Sequence, residues 1–400
     1  MATPTAPTIT PARRWAILAV SLLAAMATAC LVSGVAFLIP RLHTDGMSLS
    51  TASLLASAPM VGMVVTTVLW GWALDRVGER RILLLSLSLT VAATAGTTAA
   101  VAAGAPPWVV WVGLFVGGAV AAATNGAGGR IVVGWFPPAL RGTAMGIRQM
   151  AQPLGVGVTG LTVPVLAARY GATAGFAVFA AVAVVALAAT AWWIIDPPRP
   201  APASGAPEDH NPYRRSRYLV RVHAVSILLV IPQMALWTFV PAWLMIARHW
   251  APFHAGLVVT VTQILSALGR IVAGRWSDAW GSRMRPIRVI AAAAALLMAA
   301  LAATDAIGSP VAVLVMVGAS IVVVADNGLA YTAIAEYAGP RWSGRGLAIQ
   351  NTGQYLISAA AVPAVAGVIE HHGYAWAYAL CAVPPLLALG LVPRDPRRGA

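Results

Sequence analysis

The chain has 400 residues, 59% hydrophobic and only 10% charged, with a mean hydropathy of +0.79. A soluble globular domain is about 45–50% apolar and about 25% charged, so this composition excludes a water-facing surface over most of the molecule and makes lipid the expected solvent. The net charge of +14 comes from 26 arginines and no lysine; such a balance can signal nucleic acid, but the placement of the arginines along the chain excludes that partner.

In chain order, residues 1–14 form a Thr/Pro/Ala-rich tail with two arginines, expected to be disordered. The first apolar run, 15–39, is much longer than the about 7–15 residues of a signal-peptide core, so it is read as a transmembrane helix that stays. Eleven more runs follow at 50–74, 81–103, 108–136, 142–169, 173–195, 218–247, 253–277, 287–305, 310–336, 344–369 and 374–393. Most exceed the about 20 residues that span a bilayer. Short Gly/Pro turns such as GAPPW at 104–108 and IGSP at 307–310 separate some of them. Pro59, Pro153, Pro164, Pro232, Pro241 and Pro363 fall inside runs, where a membrane helix tolerates them. Trp15, Trp108, Trp135, Trp192, Trp193 and Trp250 sit near run ends, as interface anchors do. After the sixth run the composition changes to DPPRPAPASGAPEDHNPYRRS, a Pro-, Ala- and charge-rich stretch expected to be an extended linker. The expected organisation is therefore a tail (1–14), six spans (15–196), a cytoplasmic linker (197–216) and six spans (217–400).

Twenty arginines fall on one alternating set of loops, three (Arg41, Arg169, Arg248) on the other, and three (Arg130, Arg148, Arg270) within apolar runs. That asymmetry places both termini in the cytoplasm of a plasma (inner) membrane protein. Cys30 and Cys381 lie in the first and last runs and suggest packing, with no disulfide framework and no metal site. Glu370-His371-His372 is read as a solvated turn. There is no phosphate-binding Gly-x-x-x-x-Gly-Lys loop and no nucleophile–base arrangement, so neither ATP hydrolysis nor other enzyme activity is expected, and no cofactor.

The two halves repeat one another. GWALDRVGERR at 71–81 returns as GRWSDAWGSRMR at 274–285, aligning Gly71, Asp75 and Gly78 with Gly274, Asp278 and Gly281 at an offset of 203. Arg141-Gly142 returns as Arg345-Gly346 at an offset of 204. Internal duplication of this kind is a mark of secondary transporters.

The loop between the second and third runs resembles the signature of the major facilitator superfamily, Gly-x-x-x-Asp-Arg-x-Gly-x-Arg-Arg/Lys, at Gly71, Asp75, Arg76, Gly78, Arg80 and Arg81. The second copy keeps Gly274, Asp278, Gly281 and Arg283 but has Ala279 at the family's Arg position, so its latch is expected to be weaker. GRIVVGWFPPALRG at 129–142 resembles the family's fourth-span pattern at Arg130 and Gly134, with Val133 in place of Gln. AEYAGPRWSGRG at 335–346 echoes it through Glu336, Pro340 and Arg345. The resemblance covers essentially the whole chain. It implies an all-α integral membrane fold of twelve transmembrane helices in two pseudo-symmetric six-helix bundles. It also implies that Asp75 faces the N-terminus of the eleventh span near Ser343. Gly71 and its repeat permit close helix approach, a carboxylate is favoured at a helix N-terminus, and Arg76, Arg80 and Arg81 can meet carboxylates or anionic headgroups. The expected role is a cytoplasmic gate that breaks and re-forms; the alternative is that these charges only fix topology. Arg130, Arg141, Glu336 and Arg345 are expected to be structural elements of the cytoplasmic ends.

Ionisable residues inside spans are functional candidates by default. Arg270 lies eight residues before Asp278, and Asp326 ten before Glu336, so they sit about 12 and about 15 Å into the bilayer. Two readings follow: a fixed Arg270–Asp326 pair, or a substrate site where Arg270 binds an anion and Asp326 exchanges a proton. Arg148 lies slightly shallower. Polar side chains near the same level complete the substrate-binding candidates: Asn125, Gln149, Gln152, Gln233, Trp237, Gln263, Asn327, Tyr331, Gln354 and Tyr355. Pro153, Gly155 and Gly157 give only a partial echo of the family's antiporter motif. The expected function is secondary active transport of a small solute by alternating access, leaning to an organic or inorganic anion and with protons as the candidate coupling ion. The alternatives are efflux of hydrophobic or drug-like compounds and a non-transporting receptor or scaffold. A monomer is expected, with the bilayer and a small-molecule substrate as its partners.

Overall fold

The computed structural model describes residues 9–197 and 211–396. The tail and linker expectations thus fall largely outside the described residues. Among the described residues, twelve helices are long and apolar enough to cross a membrane. They are α1 (Pro11–Thr44), α2 (Leu54–Val77), α3 (Glu79–Ala102), α4 (Pro107–Trp135), α5 (Pro138–Tyr170), α6 (Ala172–Trp193), α7 (Tyr218–Ala247), α8 (His254–Trp280), α9 (Met284–Ala306), α10 (Val311–Ala338), α11 (Ser343–His372) and α12 (Tyr374–Leu391). Among the described residues there is no strand. α1 begins before its apolar run because Thr10 caps it, accepting from Arg13 N, and Pro11 occupies the first turn, where a missing N–H costs nothing. Ahead of α7, Asn211 caps a single turn, Pro212–Arg215, through Tyr213 N.

The chain divides into two compact units: Met1–Phe136 with Met150–Ala206 and Gly339–Ile349, and Pro137–Gln149 with Pro207–Ala338 and Gln350–Ala400. Each unit therefore holds one short segment that belongs, by chain order, to the opposite half. In the first unit α2 packs on α4, α3 on α6, and α1 on the later part of α5. Leu31, Leu55, Leu114, Phe176 and Phe179 are buried there. In the second unit α9 packs on α12, α7 on α12, and α8 on the first part of α5, around Leu236, Trp243, Met298, Met316 and Tyr378.

Two of the three arginines on the arginine-poor set of loops are neutralised locally. Arg41 pairs with Asp45 at 3.0 Å, and Arg248 with Asp305 at 2.7 Å. Trp243 Nε1 donates to the same Asp305 oxygen at 2.8 Å.

Each half closes its last helix onto its third with an Asp-Pro step. Asp196 accepts from Arg80 N at 2.6 Å. Asp395 accepts from Ser282 Oγ, Arg283 N and Met284 N at 2.5, 3.0 and 3.1 Å. A carboxylate at a helix N-terminus satisfies amides that have no partner within the helix. Asp395→Ala should cost about 1–2 kcal/mol, read as a lower Tm of the detergent-purified protein, with Asp395→Asn falling less. Equal Tm values for all three would show that the clasp contributes nothing.

Candidate functional site

The two signature loops end their helices in the same way. Gly78 (φ 114°) and Gly281 (φ 59°) adopt positive φ, which a side chain disfavours, and turn the chain out of α2 and α8. Their aspartates then cap other helices. In the first unit Asp75 accepts from Gly344 N (2.9 Å), Arg345 N (3.1 Å) and Arg345 Nε (2.9 Å), at the start of α11. Arg130 of α4 binds the same carboxylate, and also Glu79 at 2.6 Å and Ser343 Oγ at 3.3 Å. In the second unit Asp278 accepts from Gly142 N (2.9 Å), Thr143 N (2.8 Å) and Thr143 Oγ (2.8 Å), at the start of α5. Arg283 binds Asp278 at 2.6 Å, Glu336 at 3.2 Å and Pro138 O at 2.9 Å. Burial opposes the Arg283 charge, but Glu336 and Asp278 outweigh it and hold the guanidinium above the ordinary arginine range. Arg141 joins Glu336 at 3.3 Å.

Glycines let these backbones touch. A Cβ on Gly71 would stand 2.7 Å from both Gly344 O and the Ala348 methyl, and one on Gly142 would stand 2.6 Å from Gly274 O.

Deeper in the second unit, Arg148 (2% exposed), Arg270 (4%) and Asp326 (2%) are buried. Arg270 donates to Gln149 O at 2.5 Å and lies 6.0 Å from the centre of the Trp237 ring. Arg148 lies 5.9 Å from the Tyr331 ring. Arg270 and Asp326 are within electrostatic range, yet no ion pair joins them among the described residues, and Asp326 Oδ2 and Arg270 Nε have no hydrogen-bond partner there.

The Major Facilitator Superfamily model matches residues 17–362. The chain belongs to the major facilitator superfamily. Among its relatives is an uncharacterized MFS-type transporter of Mycobacterium tuberculosis, 49% identical over 95% of this chain and 85% of that protein. Among solved structures, the proton:xylose symporter XylE superposes with a TM-score of 0.77 at 16% identity, covering 96% of this chain and 97% of that one. The Escherichia coli fucose:proton symporter FucP gives 0.73 at 14%, covering 94% and 98%. The human organic anion transporter MFSD10 gives 0.71 at 17%, covering 96% and 100%. At these identities the structural likeness carries the fold alone. The chain is thus a multi-pass membrane transporter of this superfamily.

Within this transporter the candidate residues sort by what their polar atoms already bond. Asn327 donates to Gln233 at 2.9 Å, Gln354 to Asn327 at 3.2 Å and to Ser226 at 2.9 Å, and Gln350 to Ser226. His223 Nδ1 meets Gln350 Oε1 at 2.7 Å, and Tyr213 meets His223 Nε2 at 2.9 Å. Tyr331 donates to Asn351. Tyr355 lies close enough to Arg148 to interact with its charge. Gln263 is half-buried on α8 in the same unit; Asn125 and Gln152 belong to the first unit.

The superfamily loop arginines take other partners. Arg76 stacks on Trp72 at 4.0 Å, and Arg80 donates to Ala191 O at 2.9 Å. Arg81 is exposed. Sequence reasoning missed Glu79, Asp196, Asp395 and His223. One signal was available: Asp196-Pro-Pro-Arg and Asp395-Pro-Arg-Arg are themselves a repeat.

Proposed function

We propose that this transporter moves a small organic or inorganic anion across the bacterial plasma membrane by alternating access, as a monomer with both termini in the cytoplasm. The carrying observation lies in the second unit: the buried guanidinium of Arg270 forms no ion pair with the buried carboxylate of Asp326, and neither Arg270 Nε nor Asp326 Oδ2 has a hydrogen-bond partner among the described residues. An unbalanced buried cation is costly, and an anion from solution removes that cost. Asp326 is the candidate proton site. Its protonation state would couple anion binding to the proton gradient. The aspartate latches are the candidate gate of the cycle.

A thermal-shift screen tests the reading, because a ligand that binds the folded state raises its apparent stability. Small carboxylates and inorganic anions should raise the Tm of wild type and lose that effect in Arg270→Ala, while neutral sugars should do nothing. Asp326→Asn in liposomes should flatten the pH dependence of uptake; an unchanged profile would remove Asp326 from coupling. The second reading, efflux of hydrophobic compounds, is supported by the Trp237 and Tyr331 rings beside the guanidinium groups. It predicts shifts from lipophilic cations that survive in Arg270→Ala.

A further inference from the structure

Resting on the anion reading, we infer that the substrate is an anion carrying its own O–H or N–H donor close to the charge: a hydroxycarboxylate or a hydrogen-bearing oxyanion. The inference comes from which buried polar atoms are left over. Around the cluster most side chains are spent on each other: Gln233, Asn327, Gln354, Ser226, Gln350 and His223 form one hydrogen-bonded chain. Three buried atoms on three neighbouring helices have no partner among the described residues: Trp237 Nε1 on α7, Arg270 Nε on α8 and Asp326 Oδ2 on α10. Trp237 and Arg270 are in ring contact at 6.0 Å, and Arg270 and Asp326 are in electrostatic range. Buried polar atoms in native proteins are almost always bonded, so a group of orphans needs an explanation.

The complement of the three atoms is specific. Two are donors and one is an acceptor. A plain carboxylate or sulfate answers the two donors and leaves the Asp326 oxygen unbonded beside a second negative charge. A lipophilic cation answers Asp326 and leaves both donors unbonded beside a like charge. An anion with its own donor answers all three: its oxygens accept from Arg270 and Trp237, and its O–H or N–H donates to Asp326. Leaving a buried group unsatisfied is the larger penalty in hydrogen bonding, so discrimination against the analogue lacking the donor should be steep.

The test compares matched pairs by thermal-shift titration of the purified, detergent-solubilised full chain. Lactate is set against propionate, phosphate against sulfate, and tetraphenylphosphonium serves as the cation. In wild type, the donor-bearing member of at least one pair should bind roughly tenfold or more tightly than its partner. The two pairs separate an organic from an inorganic source of the same chemistry. In Asp326→Asn, which removes the charge and supplies an amide N–H, the plain anion should gain and the preference should collapse. If propionate matches lactate, and sulfate matches phosphate, the donor inference is overturned while the anion reading stands. If only tetraphenylphosphonium shifts the protein, the anion reading itself falls. No shift from any donor-bearing anion at tens of millimolar also overturns the inference. Should Asp326→Asn fail to purify as a monodisperse protein, the wild-type pairs decide alone.

Discussion

Asp75→Asn is expected to open the first latch, raising the reactivity of a cysteine at position 343 toward a membrane-permeant maleimide at least tenfold. Asp75 holds four hydrogen bonds: two backbone amides at the start of α11, Arg345 Nε and Arg130. Its side chain and that of Arg130 are each 3% exposed. Asparagine keeps one acceptor oxygen, carries no charge and turns an N–H toward Arg130 or a helix N-terminus. Breaking a buried pair by removing one partner costs about 3–5 kcal/mol, and about 1.4 kcal/mol is a factor of ten. Glu79 still holds Arg130, which offsets part of the loss. Ser343 is a suitable reporter because it is 3% exposed in this arrangement. Cys30 and Cys381 are buried and add little background. Labelling of Ser343→Cys at the same rate with and without the Asp75→Asn change would mean that the aspartate does not hold this contact closed.

The second large effect is steric. Gly274→Val should abolish the folded, monodisperse protein or lower its Tm by many degrees. A Cβ at Gly274 would overlap the Gly142 carbonyl and stand 2.6 Å from its carbon and 2.9 Å from Thr143 N. These are backbone atoms of a helix start that Asp278 fixes at the same time, so no side-chain rotation relieves them. Overpacking costs about 1–3 kcal/mol where side chains can move; here the two helices must separate and the Asp278 bonds go with them. Gly96→Ala on α3 is the control, because nothing lies within 4 Å of its added Cβ. Fluorescence-detected size exclusion and Tm would decide. A Gly274→Val protein as stable as Gly96→Ala would show that α8 and α5 are not held together at this point.

Hydropathy and arginine placement made the twelve spans legible, since both follow from the cost of moving charge through lipid. The loop motifs also made the two aspartates legible. The partners were harder to read. Arg141-Gly142 and Arg345-Gly346 suggest an offset of 204, but the glycine amide that binds Asp75 is Gly344, matching Gly142 at 202. Sequence identity followed the Arg-Gly letters; the hydrogen bonds run to the fifth and sixth residues of α5 but to the second and third of α11. Ala279 pointed to a weaker second latch. Arg283, from the start of the next helix, reaches back to Asp278 instead, as Arg130 reaches Asp75 from another span. Such substitutions by direction are invisible in a linear pattern. The same holds inside the cluster. Composition named Gln233, Asn327 and Gln354 as polar, and only geometry says that they bond each other while Arg270, Asp326 and Trp237 keep an atom in reserve.

The two latches also differ in when they can form during synthesis. Asp278 leaves the ribosome after Gly142 and Thr143, so its helix start is already waiting. Asp75 emerges 270 residues before Arg345, which at 5–20 residues per second is a delay of roughly 15–55 s. During that interval the growing chain must shelter a carboxylate at the membrane boundary without its final partners. Arg130 comes only 55 residues after Asp75, and Glu79 is nearer still. The Arg130–Asp75–Glu79 cluster can therefore form early and act as a scaffold of biogenesis, holding the acid in place until α11 is inserted. Arg130 variants should accordingly lose more protein during membrane insertion than their effect on the finished molecule alone would account for.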